Sequence, residues 1–545
     1  MLKKLLLSSL LVGALSYSNA QTLVKDINPS GNGSPYIFGD LNGKLLIYVN
    51  DGVNGDEPWV SDGTESGTSL LKNIRAGISS SEFSSYYIKV GNEYFFVACD
   101  ISSLNMGLYK TDGTSNGTVL VKNLGQYPVP QGGGNITPLP MCEFNGKLYF
   151  STQDWNGKEL WVSDGTDAGT KILKDINGAG DSDPFGFTVY KNHLYFYATE
   201  NSSGRELWRT DGTESGTQLF KDIYPGTISS FPSTYASFFV FKDKLYFGAQ
   251  GTHDEGVELY VSDGTAANTV LFKDINTTVQ GNSYPTLVGL TDNYFVLRAS
   301  TTAEGVEAFI SDGTANGTKL LKDIASGTES SFPNSGVSLG NKIVFTTYTT
   351  EFGAELWVTD GSSANTMLLK DIDPGENSGY YGFLTKLDNR LFFTGITAQR
   401  GMELWETDGT PAGTLLNKDL VPGTAGSSLS NLYAMGGKLY FSANIDSKGQ
   451  ELYVMVPGQG TSISNIQSLK SSIYPNPVNA NGYLYLGNGL ENTEINIMDA
   501  QGKSYTFTSD SNGKVELNGS LSAGMYFIII PSGIESMQYK LIIEH

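Results

Sequence analysis

Cysteine and histidine are scarce in this 545-residue chain, which holds two of the first (Cys99, Cys142) and three of the second (His193, His253, His545). Two thiols cannot build a disulfide scaffold. With only three imidazoles beside them, they are also a poor source of a four-ligand zinc site. Cys99 and Cys142 stand in neighbouring repeat units, and both pairing in an oxidising compartment and two buried free thiols stay open. Positive charge is short as well: 35 Lys and Arg face 56 Asp and Glu, a net −21. Such a surface repels nucleic acid and anionic lipid, so neither is expected as a partner. No stretch after the first 20 residues approaches the roughly 18 consecutive apolar residues that a spanning helix needs. A nucleophile elbow, a phosphate loop, a zinc-binding helix and a histidine-bearing triad are all missing. No catalytic residue, cofactor or metal site is therefore expected.

The first residues have a different character. Lys3 and Lys4 precede an apolar run from Leu5 to Leu15, and Ser18-Asn19-Ala20 offers small residues where a signal peptidase reads. This pattern predicts a secretory signal peptide over residues 1–20, cleaved between Ala20 and Gln21. Loss of both lysines leaves 33 basic against 56 acidic groups, a net −23.

What the chain has in abundance is a repeat. Glu-Leu-Trp-x-x-Asp-Gly-Thr or a close variant returns every 47 to 52 residues, with its aspartate at Asp62, Asp112, Asp164, Asp211, Asp263, Asp312, Asp360 and Asp408. That period suits a four-stranded propeller blade. Within a unit, a strand leads through a pair such as Asn42-Gly43 or Asn145-Gly146 into a second strand, as two-residue hairpins require. A polar loop follows, then the Glu-Leu-Trp strand, the Asp-Gly-Thr turn and a fourth strand ending Lys-Asp-Ile. The fourth strand's first copy, Leu23 to Ile27, precedes every other element, and the last unit stops at Val456-Pro457 without one. A spare strand at one end and a missing one at the other predict an all-β ring of about nine blades. The N-terminal strand closes it and removes the open edge. An eight-bladed ring with one atypical unit is the alternative, and an open β-solenoid a third.

These strings resemble those of the bacterial family named for its E-L-W-x-x-D-G-T repeats, over residues 21–457. The resemblance implies a secreted or surface-attached propeller-like domain and no particular reaction. Units two and six depart from the pattern, with Gly107-Leu108-Tyr109 and Glu307-Ala308-Phe309. Residues 458–470 are rich in Gly, Ser, Gln and Asn and read as a linker. Residues 471–545 resemble the type A C-terminal sorting domain of Bacteroidetes cargo exported by the type IX secretion system, a small β-sandwich. The matching pieces are Tyr474-Pro475-Asn476-Pro477, Asp499 to Lys503, Gly524-Met525-Tyr526 and Lys540 to Ile543. The resemblance implies the type IX machinery as partner and a secreted or outer-membrane-attached destination.

A residue that recurs in every unit is expected to build the unit. The repeated aspartates are read as turn formers, because carboxylates spread around a ring cannot meet at the about 5 to 10 Å that a hydrolytic pair requires. The repeated tryptophans are read as packing between blades. Trp155 falls outside the repeat. With Asp154 beside it, it is the candidate for stacking on a glycan, and a surface protein is the other candidate partner. Asp181, Asp183, His253, Asp254, Glu255 and Arg298 are non-repeated polar groups expected on the same face. The function expected is a non-catalytic binding or scaffold module. Its rival is a polysaccharide hydrolase or lyase with acidic residues at the ring's central mouth.

Overall fold

The computed structural model describes residues 21–457 except 76–79, 101–104, 127–139, 155–156, 179 and 232–237. It also describes residues 478–544 except 480, 487–493, 500–502 and 533–534. The leader, its cleavage point at Ala20 and Tyr474 to Pro477 lie outside the described residues, although Gln21 lies within them. Two compact units part between Pro457 and Gly458.

The first unit consists of nine four-stranded antiparallel sheets, so the expected blade number holds. Blade 1 takes Tyr36–Leu41, Lys44–Asn50, Asp56–Ser61 and Ser69–Leu70, and blades 2 to 8 repeat that order down the chain. Blade 9 has only Ser430–Met435, Lys438–Asn444 and Gln450–Met455 from its own segment, and Thr22–Lys25 completes it. Leu23 pairs with Tyr453 and Lys25 with Leu452, as the offset termini predicted. Hairpin chemistry is also as expected: Asn42 and Gly43 lie at φ 54° and 76°, Asn145 and Gly146 at 52° and 72°.

Side-chain alternation turns each third strand into a two-sided connector. Leu160 packs forward on Leu194 and Phe196 of the next blade, while Trp161 packs back on Leu148, Phe150 and the preceding blade's Val97. One apolar cluster fills each of the nine seams. The ninth joins Val24, Ile27, Tyr440 and Leu452 to Ile37, Ile47 and Trp59, which closes the ring. First strands of successive blades touch directly. Tyr433 donates to Asp40 at 2.7 Å and Lys386 to the Ser338 carbonyl at 2.9 Å, so these strands line the axis. Inter-blade links and second-to-third-strand loops share one face, and hairpin turns and Asp-Gly-Thr turns share the other.

The repeated glutamate is the feature that sequence reading passed over. Glu57, Glu159, Glu206, Glu258, Glu307, Glu355, Glu403 and Glu451 are fully buried. Blade 2 has Gly107 at that place. A buried carboxylate is tolerated only when its oxygens accept hydrogen bonds. Those bonds come from the link that leaves for the next blade. Glu206 accepts from Ile223 N at 2.8 Å, Ser230 N at 3.0 Å and Ser230 Oγ at 2.7 Å. Glu307 and Glu258 bind Ile324 with Ser331, and Ile275 with Ser283, in the same way. The link serine also donates its N–H to its own blade and accepts from the next: Ser230 N bonds Arg205 O at 3.2 Å, and Gln250 N bonds Ser230 O at 2.8 Å. At the ring's closure the partners come from the chain's other end. Glu451 accepts from Ile27, Asn28 and Gly33 at 3.0, 3.2 and 3.0 Å.

Burial pushes these carboxyls above their ordinary range, to about 7 for Glu206, Glu258 and Glu403 and about 8 for Glu355, against the bonds that lower them. Glu355 has the weakest cradle: Gly379 stands where six of the other links carry serine.

The second unit has a five-stranded sheet in the order Val478–Asn479, Glu535–Glu544, Gly524–Ser532, Glu494–Asp499, Ser504–Thr508. A two-stranded ribbon accompanies it, and Leu484, Ile495, Ile497, Val515, Ile528 and Leu541 share one core. Gly524 pairs with Ile543 and Phe527 with Lys540, and Tyr526 donates to the Ser522 carbonyl at 3.0 Å.

A carboxyl whose pKa is higher folded than unfolded stabilises the fold below its unfolded value and loses that contribution as pH rises through the folded one. Urea midpoints of the propeller should therefore fall between about pH 5 and pH 8, and a midpoint that climbs over that window would contradict the assignment. Ser230→Ala, which removes a donor to a buried carboxylate, should cost about 1.5–3 kcal/mol at pH 8. At the closing seam, Ile27→Ala should cost about 2–5 kcal/mol in the same titration.

Candidate functional site

The Asp-Gly-Thr turns are closed systems. Asp164 Oδ1 accepts Thr166 N at 2.9 Å and Thr166 Oγ1 at 2.7 Å, and that hydroxyl accepts Gly169 N at 3.0 Å. Below the turn, Ser163 and Thr170 pair their hydroxyls at 2.7 Å in a buried contact. The same bonds recur at Asp62, Asp112, Asp211, Asp263, Asp312, Asp360 and Asp408. Where Asn268 and Asn365 replace the second glycine, their amides reach Asp263 and Asp360 Oδ2 at 2.6 and 2.7 Å. Donation to the carboxylate, led by the Thr or Ser hydroxyl, holds Asp62, Asp112, Asp164, Asp211, Asp263, Asp312 and Asp360 below their ordinary range. They remain ionised, exposed or half-buried, and committed to their own turns, which is the turn role the repeat predicted. Among the described residues, no three Asp, Glu, His or Cys side chains gather as a metal ion would need.

Glycan stacking was expected of Trp155, which lies outside the described residues. Asp154 ends the second strand of blade 3, paired with Gly157. Of the other expected polar groups, the side chains of Asp181, Asp183, His253 and Glu255 have local partners on the link face. Asp181 accepts Lys158 N at 2.9 Å, and Asp183 pairs with Lys158 at 2.6 Å and Arg205 at 3.1 Å. His253 meets Gln280 at 2.7 Å, and Glu255 accepts the Tyr260 hydroxyl at 3.0 Å. The Asp254 carbonyl takes Gln280 N at 2.9 Å, and Arg298 lies half-buried in the second strand of blade 6. The structure thus divides them among blades 3 to 6 and their links and does not assemble a carboxylate pair from them. Cys142 is a free thiol whose pKa burial pushes up to about 11.

A concavity also opens on the link face. A cleft of about 260 Å³ opens between the blade 6–7 link and blade 7, lined by Ala325, Thr328, Glu329, Ser330, Phe332, Tyr348 and Thr350. Tyr348 N bonds the Ser331 carbonyl at 2.8 Å, which fixes Tyr348 beside Phe332. Both rings are largely exposed. Two further clefts lie on the turn face between Asp-Gly-Thr turns of neighbouring blades, around Asp164 with Thr213 and Asp360 with Thr410. They recur with the repeat and are a by-product of it.

Among solved structures, the propeller is similar to puromycin hydrolase, with 13% identity, a TM-score of 0.36, and coverage of 67% of this chain and 58% of that one. It is likewise similar to the uncharacterized protein lmo1340 from Listeria monocytogenes EGD-e (12%, TM-score 0.34, 67% and 100%). A third is the β-propeller domain of the Trilobed protease from Pyrococcus furiosus (16%, TM-score 0.32, 60% and 96%). Likeness at this level says nothing about activity. No curated protein matches the chain. The family described as the secretion system C-terminal sorting domain matches residues 472–544. The chain is thus a nine-bladed propeller protein bearing a C-terminal sorting domain, bound for secretion or the cell surface.

Proposed function

We propose that the propeller is a non-catalytic binding or scaffold module for a glycan or a surface protein, exported through the type IX machinery by its tail. The observation that supports this reading most is the fate of the carboxylates. Eight aspartates close their own turns and eight glutamates hold links, so the repeated acids are engaged in building the ring. What varies between blades is the link face, and a rigid ring with variable loops is the usual arrangement of a binding scaffold. The net −21 charge directs such a surface toward neutral or cationic partners.

Incubation of the mature protein with neutral polysaccharides, followed by a reducing-end assay, should show no turnover while affinity electrophoresis shows retention. Sustained reducing-end release that a single Asp or Glu substitution abolishes would instead establish the hydrolase reading. Removing residues 472–544 should trap the propeller inside the outer membrane of its native host. Undiminished surface or medium fractions on immunoblots would dismiss the tail as its address.

A further inference from the structure

The inter-blade links repeat a backbone conformation, and what this chain places on it differs by blade. Directly after the link serine or its Gly33 equivalent, Ser34, Asp183, Tyr284, Phe332 and Ser428 lie at φ 49°, 49°, 43°, 47° and 52°. Three residues further on, Gly186, Ser335, Phe383 and Asn431 lie at 71°, 53°, 61° and 53°. Among the described residues, left-handed backbone thus recurs at the first of these positions in five links and at the second in four. Gly, Asn, Asp and small polar residues tolerate it, whereas a bulky ring there is strained. Blades 1, 4 and 9 obey that preference. Blades 6, 7 and 8 put Tyr284, Phe332 and Phe383 there instead, with 37, 52 and 39% of each residue exposed.

Burial repays this strain only in part, since 37 to 52% of each residue stays exposed. Strained residues that packing does not explain concentrate at ligand sites. The three positions are also neighbours. Gly336 approaches the Val288 carbonyl so closely that a Cβ would lie 2.6 Å from it, and Lys386 bonds the Ser338 carbonyl at 2.9 Å. The first strands of blades 6, 7 and 8 are therefore adjacent, and the rings begin them or lie on them. Tyr348, 46% exposed, lines the same cleft as Phe332.

We propose that Tyr284, Phe332, Tyr348 and Phe383 form an aromatic platform across blades 6 to 8 that binds a neutral polysaccharide chain. This deepens the binding reading above and rests on it. Flat exposed rings stack on the apolar faces of pyranose units. Glu329, Thr328 and Thr350 at the cleft's rim offer acceptors and hydroxyls to sugar hydroxyl groups. A shallow cleft flanked by further rings suits an extended, repetitive ligand better than a small molecule, which favours enclosure. The acidic surface disfavours anionic polymers.

The test uses the mature full chain in affinity electrophoresis through gels containing laminarin, galactomannan or xyloglucan, with alginate as the anionic comparator. The proposal expects retardation by at least one neutral polymer. Phe332→Ala, Tyr348→Ala and Phe383→Ala should each weaken it tenfold or more, while Glu214→Gln on the opposite face leaves it unchanged. Phe332→Gly separates binding from folding: relief of strain should hold or raise the melting temperature while binding is lost. A lowered melting temperature with binding intact would make Phe332 a packing residue and overturn the proposal. Retardation by alginate alone, by none of the polymers, or by neutral polymers equally for wild type and the three alanine variants would overturn it too. None of these results touches the non-catalytic reading, which falls only to turnover.

Discussion

A carboxylate buried in an apolar seam is the constraint that organises this propeller. Each glutamate sits on the third strand of one blade, yet its hydrogen-bond donors lie on the link that is leaving for the next. No blade can satisfy its own charge until its successor's link is in place. A lone blade would hold an unpaired buried carboxylate and two bare apolar faces, each of which is unfavourable. Folding of neighbours is thereby coupled through polar and apolar terms that act at the same seam. Closure uses the same device, with Ile27, Asn28 and Gly33 supplying to Glu451 what a downstream link supplies elsewhere.

The exceptions fit that account. In blade 7 the link brings Gly379 in place of serine. A Cβ there would lie 2.3 Å from Glu355 Oε1, so the carboxylate and the glycine occupy each other's room. With one hydroxyl fewer, Glu355 has the most elevated pKa of the four whose values reach about 7 or 8. Blade 2 does without the carboxylate, and a Cβ on Gly107 would meet Leu120 and Tyr109 at 2.6 Å. There the space is taken by apolar packing.

The two faces of the ring divide the work. Turn-face chemistry is local and nearly invariant: Asp, Thr, Gly and a Ser/Thr–Thr hydroxyl pair bond within about one turn of chain, so blades 1 to 8 repeat it. Lys191 and Lys242 reach across to the next turn's carbonyl at 3.0 and 3.1 Å, which ties neighbouring turns together. On the link face the serine recurs in six links and the residues around it differ. That freedom is what lets three blades carry exposed rings at left-handed positions.

Whatever depends on neighbours in sequence was legible in the sequence. The hairpin pairs, the Asp-Gly-Thr turns, the alternating Leu and Trp and the displaced first strand identified four-stranded blades and ring closure. Their physics acts over at most seven residues or follows from counting strands. The glutamate's role was not legible, although a serine follows it by 23 to 25 residues in most units, because burial is a property of the seam and not of the strand. Nor was the aromatic platform: Tyr284, Phe332 and Phe383 look like ordinary apolar residues until their φ angles and exposure are known. Only the tertiary structure decides which side chains face a neighbour, which face water, and which the backbone holds against its own preference.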